Sequence, residues 1–102
     1  MPKVIHEYWY NLTTNEFSYY RLEVNKDTPK TFSGNAIASN GRQLGNFIVN
    51  KNNINKLMKF NSWKGIEYRV QTDIENEAEA KDMAKALMYE RIIGIATKIR
   101  TL

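Results

Sequence analysis

The chain has 102 residues, a length typical of one compact domain, and we interpret residues 1–102 as a single domain. Hydrophobic residues make up 42% and charged residues 25%, which excludes a disordered tail, a collagen-like chain and a coiled coil. Lysine and arginine number 15 against 11 aspartate and glutamate, so the formal net charge is +4. Cysteine is absent, which excludes disulfide scaffolds, thiolate metal sites and cysteine nucleophiles.

Two segments near the N-terminus predict a β-hairpin. Residues 4–11 and 16–24 are rich in Val, Ile, Tyr, Trp and Phe, and Leu12–Asn15 form a predicted four-residue loop. By alternation, the predicted core face carries these side chains: Val4, His6, Tyr8, Tyr10, Tyr20, Leu22 and Val24. The side predicted to face water carries the others: Ile5, Glu7, Trp9, Asn11, Phe17, Tyr19, Arg21 and Glu23.

A second hairpin is predicted at Asn40-Gly41, because a type I′ turn needs positive φ at both central residues. It joins residues 31–39 to residues 42–50. The predicted register places Phe32 opposite Val49, Gly34 opposite Phe47 and Ile37 opposite Leu44. We expect Gly34 to leave room for the Phe47 ring.

The second half of the chain predicts a short helix, a fifth strand and a long helix. Ile54, Leu57 and Met58 have helical spacing within residues 53–60, and residues 66–72 alternate as in a strand. The last helix is predicted to begin near Asn76, where Asn76 with Glu79 matches a variant of the capping box and Thr72 with Glu75 is the open alternative. Gly94 lies either at the end of this helix or in its interior. Its apolar stripe consists of Ala80, Ala84, Leu87, Met88, Ile92, Ile95 and Ile99.

These elements predict an α+β fold in the order β-β-β-β-α-β-α. We expect a five-stranded, mainly antiparallel sheet with the long C-terminal helix packed on one face.

Positive charge is concentrated in the middle of the chain. Residues 26–69 contain eight cations and two acids, whereas residues 73–90 contain six acids and two lysines. Lysines contact phosphates and aromatic rings stack on bases, so this pattern predicts nucleic-acid binding, with a solvated basic surface as the open alternative. On the predicted short helix, Lys56 and Lys59 are neighbours. The candidate nucleic-acid-binding residues are Lys56, Lys59, Lys64, Arg69, Arg21 and Trp63.

The water-facing side of the first hairpin offers a second candidate surface. Trp9, Phe17 and Tyr19, with Arg21 beside them, are candidates for stacking on bases or for binding a protein partner. The alternative is that the C-terminal residues or a partner subunit cover these rings.

Nothing in the sequence indicates an enzyme, a cofactor or a metal site. His6 is the single histidine and lies on the predicted core face, and there is no glycine-rich phosphate loop. The acids near the last helix, Glu75, Glu77, Glu79 and Asp82, are interpreted as capping and solvated residues. The first seven residues lack the apolar segment of a signal peptide, and no apolar run is long enough to span a membrane, so we expect a cytoplasmic protein.

The leading hypothesis is a small, non-catalytic, basic protein that binds nucleic acid, with RNA or DNA and single strand or duplex left open. The alternative is a protein inhibitor of a nucleic-acid-handling host enzyme, of the phage anti-defence kind that includes anti-CRISPRs. A third hypothesis is a homo-oligomeric structural protein, such as a homodimer that pairs through a free sheet edge.

Overall fold

The computed structural model describes residues 3–102, which form one six-stranded sheet and one long helix. The elements are β1 (Val4–Asn11), β2 (Glu16–Asp27), β3 (Thr31–Ala38), β4 (Gln43–Asn50), β5 (Leu57–Ser62), β6 (Gly65–Thr72) and α1 (Glu77–Arg100). Neighbouring strands are all antiparallel, in the order β4-β3-β2-β1-β6-β5. The α+β class and the long C-terminal helix are confirmed. The predicted strand number and element order are wrong, because the sheet has six strands and the short helix is absent.

Residues 53–60 do not form the predicted helix. Residues 57–62 are the edge strand β5, which pairs with β6 from Leu57 opposite Val70 to Ser62 opposite Gly65, and only Lys51–Asn53 form a single 3-10 turn. Helices this short are marginal in water, and the tight turn before Gly65, whose φ is +109°, offers strand pairing instead. Leu57 and Met58 point to opposite faces of β5 and are both partly buried, whereas Ile54 lies before the strand. Their helical spacing therefore does not reflect a helix.

The predicted faces of the first hairpin combine side chains from opposite sides of the sheet. The loop Leu12–Asn15 pairs Asn11 with Glu16, so even-numbered residues of β1 share a face with odd-numbered residues of β2. Tyr8 therefore lies opposite Tyr19, and Ile5 lies opposite Leu22. The hairpin and its loop are confirmed, whereas the predicted core and water-facing sides are wrong.

Two hydrophobic clusters lie on opposite faces of this sheet. The helix-side cluster packs α1 against β1 and β6 through Tyr8, Tyr68, Val70, Ala80, Ala84 and Met88. The other cluster, here called the concave cluster, contains Ile5, Leu22, Phe32 and Val49 on the opposite face of the curled sheet. Residues of that face from Leu44 in β4 to Trp63 after β5 line one cavity, so this face is the inner one. Each sheet face is thus buried over part of its area, and β1 contributes to both clusters.

The segment between β4 and β5 crosses one end of the concave face. The amide N–H of Lys51 donates to the carbonyl of Lys30, and that of Asn55 donates to the carbonyl of Gln71. Between them, Ile54 packs against the concave cluster. This segment therefore joins the two edge strands and covers the concave cluster at that end.

The second hairpin has the predicted pairing over most of its length. Phe32 lies opposite Val49 and Gly34 opposite Phe47, but a register shift after Ala36 places Ile37 opposite Gln43 instead of Leu44. A Cβ at Gly34 would collide with the backbone carbonyl oxygen of Glu23 in β2. The glycine therefore permits close approach of the β2 backbone, a role that the sequence did not predict.

The long helix begins as predicted. Asn76 is the N-cap, and its side-chain oxygen accepts a hydrogen bond of 3.0 Å from the amide of Glu79. The helix continues through Gly94 to Arg100, with Ala80, Ala84 and Met88 buried against the sheet. Ile92 is the last residue of α1 that packs against the helix-side cluster. The following residues extend beyond the sheet.

Candidate functional site

The three predicted phosphate-binding lysines lie along one edge of the sheet. Lys56 precedes β5, Lys59 lies within it and Lys64 lies in the turn to β6, and all three are exposed. Lys56 and Lys59 are not neighbours on a helix, because three residues of extended chain span about 10 Å. Together with Trp63, these lysines form a surface here called the basic edge.

The turn between β5 and β6 carries the indole of the basic edge. Trp63 is 91% exposed, and the Nζ of Lys64 lies 5.4 Å from the centroid of its ring. Residues 56–64 contain three lysines and no acid. A flat aromatic surface beside ammonium groups can stack on a base while the lysines contact phosphates.

Arg69 does not belong to the basic edge. Its guanidinium lies on the concave side of β6, 4.9 Å from the centroid of the Phe60 ring and 5.6 Å from that of Trp9. Burial lowers the pKa of Arg69, and the nearby Glu7 carboxylate acts in the opposite direction. Since the guanidinium is held between two rings, we infer that it supports the concave face by cation–π contacts.

Glu7 organises the polar groups beside Arg69. One of its carboxylate oxygens accepts a hydrogen bond of 2.8 Å from the Trp9 indole N–H, and the other accepts one of 2.6 Å from the Gln71 amide. This network fixes the indole of Trp9 on the concave face.

The predicted aromatic surface of the first hairpin does not exist as one surface. Trp9 faces the concave side, whereas Phe17, Tyr19 and Arg21 lie on the helix side. Tyr19 is partly buried against the helix-side cluster, and Arg21 forms an ion pair of 3.1 Å with Glu23. The error follows from the strand register, which separates residues that alternation had grouped together.

Tyr19 takes part in a buried polar network with the only histidine. The Nε2 of His6 lies 3.2 Å from the carbonyl oxygen of Glu75, which can only accept, so this nitrogen carries the proton. The Nδ1 therefore accepts from the Tyr19 hydroxyl, at 2.6 Å. Burial, with the charge of Glu77 as a smaller cause, raises the pKa of Tyr19 to about 12. His6 is 5% exposed, as predicted for a core residue, and the network anchors the start of α1.

A second group of cations was not singled out from the sequence. Lys3 precedes β1, and Lys26 lies near the end of β2. Lys30 precedes β3, and Lys51 follows β4. Antiparallel pairing brings all four to one end of the sheet, here called the lysine end, where Lys51 pairs with Asp27. Only the strand order could have revealed this group.

The concave face contains an open cleft at the end remote from the lysine end. The cleft has a volume of about 710 Å³. Trp9, Tyr20, Leu44 and Trp63 supply apolar surface, and Leu44 is 49% exposed. The charged residues of its lining are Glu7, Glu16, Glu67 and Lys64. The cleft is therefore an aromatic, mainly acidic concavity in a protein of positive net charge.

Within residues 3–102, no three Asp, Glu or His side chains come close enough together to hold a metal ion. The same part of the chain contains no helix that is long and apolar enough to cross a membrane.

Comparisons of this chain with protein-family models, with curated proteins and with solved structures gave no match. The fold defines a small α+β protein whose curled antiparallel sheet carries one long C-terminal helix.

Proposed function

We propose that the protein binds single-stranded nucleic acid along the basic edge. The observation that carries this proposal is the exposed Trp63 indole, with Lys64 beside its ring and Lys59 and Lys56 further along the same edge. One ring and three ammonium groups provide both kinds of contact that sequence-tolerant binding requires. Stacking on an indole needs an unpaired base, which favours a single strand over a duplex.

The lysine end extends the positive surface beyond the basic edge. Lys56 stands at the same end of the sheet as Lys3 and Lys51, whose ammonium groups lie 4.9 and 4.5 Å from the centroid of the Phe32 ring. Asp27, which pairs with Lys51, offsets one of these charges, whereas Lys26 and Lys30 at the same end are exposed. We expect the lysine end to add electrostatic attraction without stacking.

The experiment is a fluorescence-anisotropy titration with labelled single-stranded RNA, single-stranded DNA and duplex DNA at two salt concentrations. Three phosphate contacts predict a loss of affinity for single strands of roughly 20-fold between 50 and 200 mM salt. Trp63→Ala is expected to cost about 1 to 3 kcal/mol if one base stacks on the indole.

A pair of matched variants separates the site from the net charge. Lys59→Glu/Lys64→Glu is expected to weaken binding by at least about tenfold, because it removes two phosphate contacts and adds repulsion. Lys26→Glu/Lys30→Glu changes the net charge equally but lies at the lysine end, so the loss should be several times smaller at 200 mM salt. Equal losses in both variants would contradict the assignment to the basic edge.

Absence of binding to all three nucleic acids at 50 mM salt would remove this function. The protein-inhibitor hypothesis would then take its place, and Trp63, as the most exposed indole, would be the first residue to test against a captured partner.

A further inference from the structure

The C-terminal end of α1 is an unpartnered amphipathic segment. Beyond Ile92, residues 93–100 extend the helix by about 12 Å without contacting the hydrophobic clusters. Ile95 is 40% exposed and Ile99 is 63% exposed. Residues 93–102, here called the helix end, also contain Lys98 and Arg100 and no acid. The helix end is therefore both apolar and basic.

The concave cleft has the complementary character. Its lining offers exposed apolar surface from Trp63 and Leu44, and three glutamates against one lysine. Glu7 is engaged by Trp9 and Gln71 and lies beside Arg69, whereas Glu16 and Glu67 form no ion pair within residues 3–102. Two carboxylates and two apolar side chains are thus available to a basic, apolar segment.

The helix end cannot enter the cleft of its own chain. The helix α1 packs on the face of β1 and β6 that carries Tyr8 and Tyr68, whereas the cleft opens on the opposite face, which carries Trp9 and Glu67. Because α1 is continuous to Arg100, it cannot turn around the edge of the sheet. If a basic, apolar helix end fills the cleft, it must therefore belong to another molecule.

We propose that the helix end of one copy docks into the concave cleft of a second copy. Lys98 and Arg100 would pair with Glu16 and Glu67, while Ile95 and Ile99 contact the indole of Trp63 and neighbouring apolar side chains. The cleft combines carboxylates with exposed apolar surface, and this combination complements a segment that is both basic and apolar.

The two contacting surfaces differ, so this interface is heterologous. Repetition of such a contact gives a ring or an open chain of subunits, whereas a contact between two identical surfaces stops at a dimer. Self-association is therefore expected to grow with protein concentration and to weaken with salt. Trp63 belongs to both proposed surfaces, but Glu16, Glu67, Lys98 and Arg100 lie outside the basic edge, so variants at these four positions test self-association separately from nucleic-acid binding.

Analytical ultracentrifugation over a concentration series, with charge-reversed variants, tests the proposal. Lys98→Glu/Arg100→Glu and Glu16→Lys/Glu67→Lys should each sediment as monomers, since each places like charges in contact. An equimolar mixture of the two variants should associate again, because each reversed surface then meets its complement in the other variant. The substituted positions are exposed or line the open cleft, and circular dichroism verifies that each variant is folded.

Lys26→Glu/Lys30→Glu provides the control, since it has the same change in net charge as the helix-end variant and should associate like the unaltered protein. Monomers at all concentrations of the unaltered protein would overturn the proposal. So would association that survives cleft reversal but is lost in Ile95→Ser/Ile99→Ser, because that result would indicate pairing between two helix ends. Failure of the mixture to associate would likewise refute the specific pairing of charges.

Discussion

The helix-side cluster and the concave cluster bury the two faces of one sheet by different means. The helix-side cluster is covered by α1, whose Ala80, Ala84 and Met88 sit directly on the strands. Within residues 3–102 no long helix covers the concave cluster, which is enclosed by the curl of the sheet, by Ile54 of the β4–β5 segment and by the Lys3 and Lys51 side chains over Phe32. The comparison shows that a small sheet can build a second core by bending.

The strand β1 makes this arrangement possible. Ile5 belongs to the concave cluster and is fully buried, whereas Tyr8 belongs to the helix-side cluster and is 1% exposed. A strand with both faces buried has no simple alternation of polar and apolar residues. Where the curl opens, at the far end of the concave face, the cleft and its acids remain accessible.

The largest expected effects come from truncating one side chain in each cluster. Leu22→Ala in the concave cluster and Met88→Ala in the helix-side cluster should each lower the free energy of unfolding by about 2 to 5 kcal/mol, because both side chains are almost fully buried. Urea unfolding measures both values. Ile48→Ala, at a position 78% exposed, is the control and should change stability by about 0.5 kcal/mol. A cost for Leu22→Ala as small as the control's would show that the concave cluster is no core.

The helix-side cluster was largely predictable from sequence, whereas the concave cluster was predictable only in part, through Leu22 and the pairing of Phe32 with Val49. Asn76 as the N-cap and the apolar stripe of α1 are local signals. The structure confirms the cap and confirms the stripe as far as Ile92, whereas Ile95 and Ile99 are exposed. The second core depends on strand order and curl, which arise from contacts between residues far apart in the chain. The alternation pattern therefore predicted that Ile5 faces water, although this side chain is buried.

The candidate sites show the same division. Lys56, Lys59, Trp63 and Lys64 remain together because they are close in sequence, although a strand replaces the predicted helix. Trp9, Phe17 and Tyr19 are divided between two faces, because a register decides which residues of two strands are neighbours. Arg69 was grouped by charge with the lysines, but burial between two rings separates it from them.

A smaller loss of stability is expected at Gly34, where the backbones of β2 and β3 approach each other closely. Gly34→Ala should lower the free energy of unfolding by about 1 to 3 kcal/mol, because the added Cβ meets the carbonyl oxygen of Glu23 and the strands must shift. Gly94→Ala provides the matched control, since the helix leaves open space there, and it should stabilise by up to about 1 kcal/mol. Thermal unfolding of both variants decides the point, and a Gly34→Ala protein as stable as the parent would contradict the close approach.

The smallest effect concerns the polar anchor on the helix side, where Tyr19→Phe removes the hydroxyl that donates to His6. At neutral pH we expect a loss of about 1 kcal/mol, the usual net contribution of such a hydrogen bond. Tyr89→Phe, at a helix position 68% exposed, is the control and should leave stability unchanged. An equal effect of both substitutions on urea unfolding would show that the bond to His6 contributes nothing.

The same hydroxyl gives the helix side a dependence on alkaline pH. The pKa of Tyr19 is raised to about 12, so above pH 10 the unfolded chain loses this proton before the folded one does. The unfolded state then binds fewer protons, and stability must fall as pH rises from 10 towards 12. Burial also raises the pKa of Tyr8, so the Tyr19→Phe variant should still lose stability as pH rises, but with a shallower slope than the parent. Urea unfolding at pH 9, 10 and 11 measures the slopes, and parallel curves for the parent and the variant would contradict the burial of this phenol.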